Sequence, residues 1–115
     1  MQDFRNVDAW KRAHELALRI YRITRQFPKE EVFGVTMQLR RSAIAVPQKI
    51  AVACGSEPVS MNTELRKAAA ITSDLEYVIL LAGDLELLRG EEGDVLMEEV
   101  VGTRKMIYGL IRSRA

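Results

Sequence analysis

Apolar residues recur along this chain at steps of three and four, the period of a helix with one buried side. The first stripe is Trp10, Ala13, Ala17, Ile20, Thr24 and Phe27, widened by Leu16 and Ile23. Asn6 is placed to cap it, Asp8 suits the positive end of the helix dipole, and Pro28 disfavours helical conformation just before it. The spacing predicts a helix over 7–27. A second stripe, Val35, Leu39, Ala43, Val46, Ile50 and Ala53, predicts a helix over 34–54. It runs through Pro47, where a lost backbone hydrogen bond predicts a kink, and leaves at Gly55. A third stripe, Met61, Leu65, Ala68, Thr72, Leu75, Ile79 and Ala82, predicts a helix over 61–88, capped by Ser60 or Asn62, which either continues through Asp84–Leu88 or breaks near Gly83. Gly90 and Gly93 mark a loop, and Leu96, Val100, Thr103, Ile107 and Leu110 predict a helix over 94–112.

Four helices with short connections favour antiparallel neighbours. No segment alternates with the two-residue period of a strand. The expected fold is all-α: one domain over 1–115, an antiparallel up-down-up-down four-helix bundle with a proline-kinked second helix.

The faces opposite the stripes differ from helix to helix. The first carries Lys11, Arg12, Glu15, Arg19, Arg22 and Gln26, a solvated face with a basic bias and Leu18 as its one apolar residue. The second carries Met37, Ile44, Ala45, Gln48, Ala51 and Val52, with Arg41 the charge near its centre. The third adds Ala70, Tyr77 and Leu81, and the fourth Met97, Val101 and Tyr108. A helix that is apolar nearly all round is usually buried nearly all round, and one small bundle cannot cover both sides of the second helix. Self-association is the simplest expectation, with Met37, Ile44, Val52, Tyr77 and Leu81 as interface candidates.

Composition narrows the chemistry. With 48% apolar residues the chain is suited to a packed core, and 17 basic against 16 acidic side chains leave a net charge of +1, so no bulk field draws it to nucleic acid. A lone cysteine, Cys54, excludes an intrachain disulfide and suits a reducing, cytoplasmic setting; no long apolar run predicts a membrane span. A lone histidine, His14, excludes two-histidine metal sites in one chain and is expected to pack at the edge of the core. The stripes hold no Asp or Glu, the glycines do not form a phosphate cradle, and Cys54 lies at a helix C-terminus, where a thiolate is disfavoured. No catalytic set, metal or cofactor is expected.

Charge is uneven, however. Residues 1–57 carry ten Lys/Arg and six Asp/Glu, whereas residues 58–115 carry seven and ten. Lys11, Arg12, Arg19, Arg22, Arg40 and Arg41 are therefore candidates for contact with RNA or DNA phosphates, an affinity that would multiply in an assembly of copies.

The run Gln38-Leu39-Arg40-Arg41-Ser42-Ala43-Ile44-Ala45-Val46-Pro47-Gln48-Lys49-Ile50-Ala51 is specific. It resembles the signature helix of the four-helix bundle family named for the protein encoded in intervening sequences of bacterial 23S ribosomal RNA genes. Trp10-Lys11-Arg12-Ala13 with Glu15-Leu16 is similar to that family's opening helix, and Asp74-Leu75-Glu76-Tyr77 with Leu80, Leu81, Ala82 and Leu85 to its third. The resemblance covers about residues 3–88, the last helix matching in pattern alone. Lys49 stands where the family usually has Asn, and Val52 and Ala53 where it has Glu and Gly, which takes polar groups from the end of the second helix. The resemblance implies a small cytosolic bundle, assembled in several members as a ring-shaped homopentamer. It also implies kinship with the accessory variability protein of diversity-generating retroelements, a basic pentamer that engages nucleic acid. The near-neutral chain fits those basic relatives less well, so the expected function is a non-enzymatic homo-oligomeric scaffold or adaptor, with an RNA- or DNA-binding oligomer as the alternative.

Overall fold

The four stripes fold as helices with their apolar sides turned inward. The computed structural model describes residues 2–113, with α1 over Asp8–Thr24, α2 over Val35–Gly55, α3 over Pro58–Asp84 and α4 over Glu92–Ser113. Short 3-10 turns at Phe4–Asn6 and Lys29–Glu31 precede α1 and α2, and there is no strand among the described residues.

Two termini depart from expectation, each for a local reason. The helix starts after Val7, which makes no side-chain cap bond, while Asn6 ends the preceding 3-10 turn, whose cap is Asp3 accepting the Arg5 backbone N–H at 2.9 Å. At its far end α1 stops at Thr24 instead of reaching 27: the Phe27 N–H turns back to the Thr24 carbonyl at 3.1 Å, a tightened last turn that still places the Phe27 side chain in the core. The third helix begins earlier than its apolar stripe, because Pro58 occupies the first helical turn, where a missing N–H costs nothing; Ser60 and Asn62 lie inside the helix. It ends at Asp84, the earlier of the two expected ends, next to Gly83 and four residues short of 88. The Leu87 N–H reaches the Ala82 carbonyl and the Glu86 N–H the Gly83 carbonyl, both at 3.0 Å, with Glu86 at φ 62°. This is a Schellman closure with glutamate in the left-handed position that usually holds glycine.

Packing shows the antiparallel order. One apolar cluster joins Ala13 near the start of α1, Ile50 and Ala53 near the end of α2, Met61 and Leu65 early in α3, and Ile107 late in α4. A second joins Ile20, Val35, Leu39, Ile79, Ala82 and Leu96 at the opposite end. Contacts run from α1 to α2, α2 to α3, α3 to α4 and α4 back to α1, while the diagonal pairs stay apart. The helix continues through the buried Pro47, which has no N–H to give to the Ala43 carbonyl.

Polar ties run between the helices outside the core. Ser42 Oγ on α2 donates to Asp74 Oδ2 on α3 at 2.6 Å. On α4, Arg104 Nε donates to the buried Thr72 hydroxyl at 2.9 Å and its guanidinium pairs with Glu76. Arg12 on α1 pairs with Glu99 on α4 at 3.5 Å and lies over Gly102, where a Cβ would stand 2.3 Å from the guanidinium carbon. The missing side chain lets the guanidinium lie there, and a larger residue at 102 would make the flexible end of Arg12 shift.

Candidate functional site

The surface of interest begins where α1 stops and α2 starts. Ending α1 at Thr24 leaves Tyr21 and Thr24 facing the first turns of α2. Arg40 Nε donates to the Thr24 hydroxyl at 2.8 Å, and Thr24 Oγ1 donates in turn to the Ile20 carbonyl at 2.7 Å. The Arg40 guanidinium carbon lies 4.6 Å from the centre of the Tyr21 ring, a cation–π contact that holds both side chains across the gap. Beside this pair, which forms part of its wall, opens a groove of about 500 Å³ also walled by Val32, Phe33, Met37, Arg41 and Ile44. Phe33 is 85% exposed and Ile44 44%. Thr36 also borders the groove, and its buried hydroxyl has no hydrogen-bond partner among the described residues.

A second, adjoining groove of about 360 Å³ lies between α2 and α3, lined by Gly34, Gln38, Asp74, Tyr77, Val78 and Leu81. Phe33 precedes its glycine in the chain. Of the interface candidates, Met37 and Ile44 line the first groove and Tyr77 and Leu81 the second. Val52 stays apart near the other end of α2, 47% exposed. Phe33 and Val32 were not among the candidates, since the connection they occupy shows no helical period; two adjacent apolar residues in a loop were the available signal.

The six candidate cations are not gathered into one patch. Arg40 and Arg41 border the first groove. Arg12 is half-buried against α4, with its Nη1 also 3.9 Å from Met106 Sδ. Lys11 is exposed 3.9 Å from Asp8. Arg19 and Arg22 line a separate hollow of about 420 Å³ together with Glu91 and Glu92 of the α4 start. Acidic groups from the second half of the chain thus lie beside several basic groups of the first.

The remaining chemically capable groups are occupied in packing. His14 stacks on Trp10, ring centres 4.7 Å apart and planes 10° from parallel, and Phe4 meets Trp10 edge-on with ring centres 4.9 Å apart. Cys54 is buried in the core. Among the described residues no three His, Cys, Asp or Glu side chains cluster as a metal site requires. Glu64 on α3 is a perturbed titratable group: the hydrogen bond from Lys67 at 3.1 Å holds its carboxyl below the usual range, partial desolvation opposes this, and Lys49 across on α2 at 3.7 Å adds to the lowering. Lys49 therefore supplies an interhelical tie, Ala53 is wholly core, and Val52 alone of the three departures adds apolar surface.

A family model described as 23S rRNA-intervening sequence protein matches residues 5–109, reaching through most of α4. No curated protein matches the chain. No described helix is long and apolar enough to cross a membrane.

Proposed function

The chain belongs to the 23S rRNA-intervening sequence protein family, and we propose that it is a non-enzymatic, homo-oligomeric scaffold or adaptor of the cytoplasm, assembled as a pentamer. One observation carries this reading: a single bundle leaves the outer side of α2 and the adjoining α3 surface uncovered, with Phe33, Ile44, Val52 and Tyr77 all at least 44% exposed. Isolated exposed apolar residues are ordinary, but Phe33, Met37 and Ile44 share one groove, and Tyr77 and Leu81 line the groove beside it. Covering them with further copies removes that surface from water, a gain of about 25 cal/mol per Å² before the costs of association. Light scattering on the purified protein at micromolar concentration tests the proposal. The expected mass is five times that of one chain; a monomer overturns it.

A second reading, an RNA- or DNA-binding oligomer, is favoured by Arg19 and Arg22, which are exposed and have no ion-pair partner within 4.0 Å among the described residues. Arg12 and Arg40 lend it less, being engaged with Glu99 and with Thr24 and Tyr21. Titration with structured RNA at two salt concentrations separates the readings, because phosphate binding weakens steeply with salt. Absence of binding at low salt removes the second.

A further inference from the structure

The exposed apolar surface is not one patch, and its parts carry opposite charge. On the α1–α2 side, the groove holding Phe33, Met37 and Ile44 is bordered by Arg40 and Arg41. On the α3–α4 side is a smaller cleft of about 160 Å³, lined by Ile79, Leu80, Gly83, Asp84, Asp94 and Met97. Leu80 is 51% exposed at its rim. Arg41, Asp84 and Asp94 are all exposed, and none has an ion-pair partner within 4.0 Å among the described residues. One surface is therefore apolar with spare positive charge, and the other apolar with spare negative charge.

Their placement matters as much as their chemistry. The helices pack in a closed square, so the α1–α2 side and the α3–α4 side are opposite faces of the bundle. Both surfaces lie at the same end, where Val35, Leu39, Ile79, Ala82 and Leu96 share one core cluster. A copy placed beside another with its axis parallel presents its cleft at the height of its neighbour's groove. A contact between two different surfaces of identical chains is heterologous: repeated with a turn of about 72° between copies it closes as the five-membered ring proposed above, and with no turn it runs on as a filament, where a two-fold contact would stop at two copies.

We propose that the occupant of the α1–α2 groove is a second copy of this chain, seated by its α3–α4 edge, with Arg41 facing Asp84 and Asp94 of that copy and Phe33 covered by its Leu80 surface. The proposal rests on the homo-oligomeric reading above and specifies which faces meet. Charge complementarity at such a rim fixes register and excludes like-charged alternatives such as groove against groove.

Charge reversal and re-reversal test it. Arg41→Glu alone, and Asp84→Arg with Asp94→Arg, each set like charges against one another, and each is expected to raise the concentration needed for assembly at least tenfold by light scattering. The chain carrying all three substitutions restores opposite charges at every contact and is expected to assemble near the concentration of the unaltered protein. Unchanged far-ultraviolet circular dichroism in each variant shows that the bundle itself is intact. Assembly unaffected by either reversal overturns the proposed contact while leaving the oligomer standing, and so does a triple variant that folds but stays dissociated. An acidic peptide or a different protein as the groove's occupant would give the first of these results. A monomeric unaltered protein removes the oligomeric reading and this contact together.

Discussion

Helices α1 and α2 pack side by side in the same bundle, yet only one of them is finished by it. Their inner sides are alike: Ala13, Leu16 and Ile20 on α1, and Leu39, Ala43, Val46 and Ile50 on α2, are all almost fully buried. Their outer sides are not. On α1 the exposed positions are Asp8, Lys11, Glu15, Arg19 and Arg22, with Leu18 the single large apolar residue in solvent. On α2 they include Ile44 and Val52, with Ala45 and Ala51 half-buried between them. Burial of the inner stripe accounts for the folding of both helices, whereas the outer side of α2 gains nothing from that fold. The difference separates residues that make the bundle from residues the bundle leaves over.

The sharpest way to break this comparison is to truncate both inner stripes. Ile20→Ala on α1 and Ile50→Ala on α2 remove wholly buried side chains. Each is expected to lower unfolding stability by about 2–5 kcal/mol in urea titration, through lost burial and the cavity left behind. If Ile50→Ala cost far less than Ile20→Ala, the inner side of α2 would not be the core element described. The next effect is on assembly. Ile44→Glu on α2 is expected to reduce association at least tenfold, or about 1.4 kcal/mol, while Leu18→Glu on α1 leaves the mass unchanged. Both should leave the stability of the single bundle within about 0.5 kcal/mol. Equal loss of assembly from the two substitutions would erase the distinction between the outer faces.

Much of this division was legible in the residues. The stripes at steps of three and four located every helix, and the faces opposite them identified α2 as the helix with surplus apolar surface. What escaped were features set by contacts distant in sequence or by exceptions to local preference. The stripe alone does not choose between an end near Gly83 and one at Leu88, because the left-handed closing position holds Glu86 and not glycine; the structure takes the earlier end. Phe33 lacked a helical period to draw attention to it, although it is the most exposed large apolar residue of the groove. Arg12 and Arg40 read as part of a basic face because their partners, Glu99 and Thr24, are reached across the bundle. Charge counted along a helix cannot reveal whether a long side chain lies down on its neighbour, as Arg12 does over Gly102.

The smallest effect concerns a place where α2's outer edge is polar and tied to α3. Lys49 reaches Glu64 of α3, and Lys67 holds the same carboxylate by a hydrogen bond. These cations, Lys67 first, lower the Glu64 pKa from the ordinary carboxylate value against the pull of desolvation. A carboxyl whose folded pKa is depressed stabilises the fold above its unfolded value, and that contribution is lost as pH falls through the folded value. Stability measured by urea titration should therefore fall between about pH 4.5 and lower pH, with a small part of the slope absent in Glu64→Gln. Because Glu64 is partly solvated and its partners are half exposed, salt should shrink the difference between the two proteins. A Glu64→Gln protein with the same acid slope as its parent would mean that Lys49 and Lys67 lie beside the carboxylate without stabilising it. The polar edge of α2 would then be as uncommitted in the single bundle as its apolar face, and Lys49 would be left for contacts outside it.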